Sequence, residues 1–241
     1  MQRYSFFAYN QDFSLFGFQH IAVLVLMLVL CIFLPLIAKK WFSQQQQLLL
    51  SRIMAVIISA NALIYPLIKV ALGDFDVQQD LPLDICNITA ALLPFVMWRP
   101  SYRVHEVLYF WVLAGTFQAN ITPYLYNGFP NFTFIKYWIV HSGLVVYVIY
   151  VTVVFGLIPT FRSIWKAFLV LQVYVVFIFI INLLIGSNYF FVMRKPPTAS
   201  ALDYLGPWPW YLLIGEGIVL LLFFIVYLPL VFVKRGNQQA Q

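Results

Sequence analysis

Two residues far apart in the chain, Cys86 and His141, are of the types needed for nucleophilic catalysis. A thiol attacks an ester at neutral pH only when a base takes its proton or a neighbour stabilises the thiolate. Imidazole is the usual base. The pair then carries an acyl group as a thioester and returns the proton to the departing alcohol. Amide side chains such as Gln118 and Asn182 can donate to the oxyanion. A carboxylate such as Asp84 or Glu216 can orient the ring. Spacing alone leaves a plainer account open, because a cysteine in an apolar helix also serves as a small packing residue. Cys31, with no ionisable neighbour in sequence, keeps that plainer account.

The elements that must position these groups are membrane spans. Of 241 residues, 63% are hydrophobic and 9% charged, against about 45–50% and about 25% in soluble domains, and the mean hydropathy is +0.89. Windows of about 20 apolar residues predict an all-α bundle of seven transmembrane helices in a single membrane domain, near 17–38, 52–73, 82–98, 105–122, 133–157, 163–187 and 209–233. The net charge of +6 does not point to nucleic acid, because the basic residues cluster at span ends. Lys39, Lys40, Arg52, Arg99, Arg103, Arg162, Lys166, Lys234 and Arg235 fall on one side. The other side carries Arg3, Lys69, Lys136, Arg194 and Lys195 among the acids Asp12, Asp74, Asp76, Asp80 and Asp203. That bias places the N-terminus outside and the C-terminus in the cytoplasm. No cleavage site follows the first apolar run, so no removable signal peptide is expected.

Counting depth at about 1.5 Å per helical residue gathers Cys86, His141, Gln118, Asn182 and Glu216 into one layer in the outer half of the membrane, with His20 at its rim. A shared cavity accounts for a common depth; hydrogen bonds between helices are the structural alternative. Cys31 lies deeper, so two free thiols are expected rather than a disulfide. Three histidines and two cysteines at unrelated depths do not make a zinc site, and neither metal nor cofactor is expected. His105 and Glu106 read as a solvated helix start beside Arg103, and Gln44–Gln47 as part of a cytoplasmic loop. Asn131 is the one Asn-x-Ser/Thr match placed to accept a glycan. Gly206-Pro207-Trp208-Pro209-Trp210 reads as a rigid lead-in to the last span.

Several strings together carry a resemblance: Leu81–Cys86, Tyr109–Gln118 with Thr122 and Pro123, Gly128–Pro130, His141–Gly143, Gly186–Tyr189 with Lys195 and Pro196, and Leu205–Trp210. Over about residues 15–230 the chain resembles the YwaF family of bacterial integral membrane proteins, which is similar in turn to the transmembrane protein 164 acyltransferases. The resemblance implies a seven-helix bundle that transfers a fatty acyl chain between phospholipids, with Cys86 and His141 as the catalytic pair and Asn188 as a further candidate for substrate contact. Asp84 departs from it, since many bacterial members have His there. The expected function is a lipid acyltransferase in a bacterial plasma membrane, with membrane phospholipids as partners. Water as acceptor would make it a lipid hydrolase. A seven-helix transporter or ligand-binding protein using His20, His141 and Glu216 is the alternative from a different class, and a structural partner in a larger membrane complex is the third.

Overall fold

The computed structural model describes residues 12–196 and 201–239. Arg3 lies outside them, as do the side chains of Lys234 and Arg235. Among the described residues, seven α-helices follow one another: α1 (Phe18–Trp41), α2 (Gln44–Leu72), α3 (Ile85–Met97), α4 (Tyr102–Phe110, continuing through a π-helical stretch, Trp111–Thr116, into Phe117–Ile121), α5 (Phe132–Val154), α6 (Phe161–Ile185) and α7 (from Trp210). All but α3 and α4 are long and apolar enough to cross a membrane by themselves.

Local chemistry sets most of the boundaries. Lys39 and Lys40 occupy the last turn of α1, where cations offset the negative end of the helix dipole. Only Phe42 and Ser43 separate α1 from α2, and Ser43 forms a capping box with Gln46. Gln47 donates from its side-chain amide to the carbonyls of Ala38 and Phe42. The glutamine run is therefore the opening turn of α2 and not a loop, because its amides bind the orphan backbone groups at both helix ends. Gly73 and Gly186 end α2 and α6 in the left-handed conformation that glycine adopts without steric cost. The Asn131 side chain caps α5 by accepting from the Thr133 N–H. Asn131 is 1% exposed, so the glycan reading of that motif is overturned.

α5 is the hub, packing against α1, α2, α3 and α4, while α6 closes on α4 and α7 on α6. Leu144, Tyr147, Val148, Tyr150 and Val151 on α5 are wholly buried. The outer faces of α1, α2, α6 and α7 instead expose Leu26, Phe33, Leu67, Val173, Leu184 and Leu221, a surface suited to lipid. Lipid tails are as apolar as these side chains, so cohesion comes from close packing and from interhelical hydrogen bonds of about 0.6–2 kcal/mol each. Trp111 donates to the Ala167 carbonyl, Tyr109 to that of Val226 and Tyr150 to that of Gln47. Where α5 crosses α2, a Cβ on Gly143 would come within 3.0 Å of Ile58.

His105 and Glu106 depart from the expected solvated helix start. They are 0% and 2% exposed, because the first turn of α4 is wedged between α5 and α6. Glu106 accepts from the Ser163 hydroxyl at 2.5 Å and from the Lys166 ammonium at 2.8 Å, and His105 bonds the Thr152 hydroxyl at 2.9 Å. Glu106→Ala is expected to lower stability by about 2–3 kcal/mol, at the low end for breaking a buried pair because Lys166 is half in solvent. Thermal unfolding in detergent measures this, and an unchanged midpoint would contradict it.

α3 also departs from expectation. The span predicted at 82–98 is a 13-residue helix, about 20 Å long and too short for a hydrocarbon core of about 30 Å. The preceding segment, 73–84, folds into the bundle and delivers the start of α3 below the ends of its neighbours. Tyr174 of α6, about 16 Å from that helix's end at about 1.5 Å per residue, donates its hydroxyl to the Leu83 carbonyl. Tyr189 donates to the Val77 carbonyl and accepts from the Leu81 N–H, which holds the segment from above.

Candidate functional site

The inserted start of α3 carries Cys86 at its second residue. Asp84 is the N-cap residue but makes no side-chain cap. Its carboxylate accepts instead from the Phe190 N–H at 3.2 Å. Among the described residues, the backbone N–H groups of Ile85, Cys86 and Asn87 have no hydrogen-bond acceptor, as is usual in a helix's first turn. Unpaired donors of a helix's first turn serve an oxyanion when they are aimed at it.

Facing the thiol is the π-helical stretch of α4. Such a stretch inserts one residue into the helical register, a feature frequent at functional sites, and here it presents Thr116, whose hydroxyl lies 3.3 Å from Cys86 Sγ. A hydrogen-bonded chain runs on from there. Asn120 donates to the Thr116 carbonyl and accepts from the Ser142 hydroxyl at 2.7 Å. The Asn120 carbonyl accepts from His20 Nε2 at 2.8 Å, and His20 Nδ1 accepts from the Phe16 N–H. Every nitrogen of His20 is thus engaged, and its ring, 0% exposed, is a structural link between α1 and α4.

His141 adjoins Ser142 on α5. Its Nδ1 lies 2.9 Å from the Tyr137 carbonyl, which can only accept, so Nδ1 carries the proton. Nε2 is left as a lone pair with no hydrogen bond among the described residues, which is the tautomer a general base requires. Tyr137 stacks on the ring at 4.1 Å and donates its hydroxyl to the Ala119 carbonyl. Cys86 and His141 make no direct hydrogen bond. The thiol's partner is Thr116, which Asn120 and Ser142 link to α5.

The remaining sequence candidates separate from this centre. Gln118 is exposed and donates to Thr122 one turn along its own helix, so it does not face the thiol. Asn182, 1% exposed, spends its amide on the turn after α6: it donates to the Tyr189 carbonyl and accepts from the Ser187 hydroxyl and the Tyr189 N–H. Asn188 organises the next turn by accepting from the N–H groups of Met193 and Arg194. Among the described residues, Glu216 is half-buried on α7 without a hydrogen bond and Asp84 is turned to Phe190, so no carboxylate there holds the imidazole. A backbone carbonyl does that instead. Thr116, Asn120 and Tyr137 were missed; the one available signal was the placement of Thr116 within the Tyr109–Gln118 string. Both cysteines are free thiols.

Thr116→Val keeps the side-chain shape and removes the hydroxyl. In a Cys31→Ala background, alkylation of Cys86 by iodoacetamide is expected to change several-fold, while a contact without energetic weight would leave the rate unaltered.

The fold and the site define a polytopic helical membrane protein with a half-buried thiol at a helix start. The TMEM164 family model matches residues 15–227, all but the two ends of the chain, and the chain belongs to that family. No curated protein and no solved structure matches it.

Proposed function

We propose that the chain is a phospholipid acyltransferase in which Cys86 is the nucleophile and His141 the general base. The observation that supports this is the tautomer of His141: the Tyr137 carbonyl holds its proton on Nδ1 and leaves Nε2 with the lone pair a general base needs, next in sequence to Ser142, which Asn120 links to Thr116, the hydrogen-bond partner of Cys86. Family membership is compatible with the same chemistry. As the Cys86 proton moves to His141 Nε2, Sγ attacks the acyl carbonyl of a phospholipid. The tetrahedral oxyanion takes hydrogen bonds from the N–H groups of α3's first turn. Its collapse breaks the ester C–O bond, and the imidazolium protonates the departing lysolipid oxygen, leaving a thioester on Cys86. An acceptor lysolipid then loses its hydroxyl proton to His141 and attacks the thioester, and the thiolate leaves and regains the proton. The ester bond broken is replaced by one of the same kind, so the exchange runs without an energy source.

Thr116 holds the thiol in line and Tyr137 orients the ring. Gln118 and Asn182 have no part in binding the oxyanion. The same reading includes the YwaF-like bacterial branch and a place in a bacterial plasma membrane.

The test is acyl exchange in proteoliposomes containing phosphatidylcholine with an isotopically labelled acyl chain and an unlabelled lysophospholipid of different headgroup. Transfer of label to the second headgroup without added cofactor is the expected result. Release of the label only as free fatty acid would replace the acyltransferase by a hydrolase, and absence of either product would overturn the reading.

A further inference from the structure

Asn120 stands in the last turn of α4 and is 0% exposed. A buried amide is costly unless its polar atoms are paired, and here each partner dictates the next. The Thr116 carbonyl, 2.9 Å away, can only accept, so the side-chain NH2 of Asn120 points to it. Oδ1 is thereby turned toward α5, where it accepts from the Ser142 hydroxyl at 2.7 Å. An amide oxygen cannot donate, so the Ser142 proton is committed to that bond. The backbone carbonyl of the same residue accepts from His20 Nε2 at 2.8 Å, which ties α1 to the same point. Three helices are pinned at one residue.

Both ends of this side-chain bridge lead to the candidate site. Thr116 is the hydrogen-bond partner of the Cys86 thiol at 3.3 Å. Ser142 follows His141 on α5, and neighbours on one helix are offset by a fixed rise of about 1.5 Å and a fixed rotation of about 100°. Pinning Ser142 to α4 therefore sets the height and rotation of the His141 backbone relative to Thr116. Tyr137 adds a second tie from α5, to the Ala119 carbonyl, but that bond does not involve Thr116. A misplacement of about 1 Å can cost about 10²-fold in rate, so a bridge of set length and direction matters to the chemistry without touching substrate. We propose that Asn120 is a positioning residue: its amide holds Thr116, and through it the Cys86 thiol, in register with His141. The assignment rests on the acyltransferase reading for what the pair does, and its test reads the coupling of the two residues without any acyl transfer.

Alkylation of Cys86 by iodoacetamide, in the full chain in detergent and in a Cys31→Ala background, measures that coupling. The reagent takes the thiolate, and a base in register supplies it. His141→Asn is therefore expected to slow alkylation about tenfold, within the range for coupled residues of one network. Asn120→Leu keeps the size of the side chain and removes both of its hydrogen bonds; with it in place, His141→Asn is expected to slow alkylation by about twofold or less. Ser142→Ala removes one atom and breaks only the α5 end of the bridge, and it is expected to shrink the His141 effect in the same way. Ser142→Thr keeps the hydroxyl and is expected to preserve the effect, which loss of packing alone does not explain. Should Asn120→Leu lower the unfolding midpoint, the two Ser142 variants decide. A His141 effect that persists in Asn120→Leu or in Ser142→Ala, or that is lost equally in Ser142→Ala and Ser142→Thr, would overturn the assignment. If His141→Asn leaves alkylation unchanged with Asn120 and Ser142 intact, the assignment and the Cys86–His141 pair fall together. A coupling that depends on Asn120, in a protein that exchanges no acyl chain, keeps the assignment and loses the proposed reaction.

Discussion

Cys86→Ala is expected to abolish acyl exchange, with a loss of about 10³-fold or more, the scale seen when a nucleophile is removed and only binding groups remain. The variant should fold. The thiol's one hydrogen bond is to Thr116, itself held by α4, and the change removes a single atom from a half-buried position. A retained unfolding midpoint with lost exchange therefore separates chemistry from packing. Cys31→Ala serves as the internal control, since Cys31 is the other free thiol and no polar group is bonded to it. Equal losses in both variants would reduce Cys86 to a packing residue.

The second large effect is at His141. Asparagine there keeps an N–H donor near the position of Nδ1, so the bond to the Tyr137 carbonyl can persist, while the open Nε2 is gone. His141→Asn is expected to lower the exchange rate by about 10²–10⁴-fold, the range for a general acid–base, with little change in stability. Partial rescue by added imidazole would identify the missing group as a base. A loss of stability that accounts for the loss of rate would assign His141 to structure.

Much of the fold was legible because apolar runs of membrane length admit few other readings, and the helix stops at Gly73 and Gly186 and the capping box at Ser43 are local chemistry. The surroundings of the thiol were less so. A π-helical stretch shifts the register of everything after it, so the interior face of α4 is set by Thr116 and Asn120, and Gln118 is turned outward. Ordinary helical periodicity carries no sign of that insertion. Asn182 and Asn188 have the right chemistry and depth for a site, but a chain reversal after Gly186 consumes their hydrogen bonds. His105 and Glu106 lie close to basic residues in sequence, and only the packing of α4 against α5 and α6 buries them. Lys136, read from its position as a topological flank, lines a cavity because the segment before α3 folds inward to meet it.

The covalent step is the centre of this account, and it leaves a chemical mark. Purified protein incubated with a labelled phospholipid and no acceptor, then quenched in acid and digested, is expected to yield a single acylated peptide containing Cys86, with the acyl group removed by neutral hydroxylamine. Finding exchange activity with Cys86 unmodified, or with the acyl group on another residue, would contradict it.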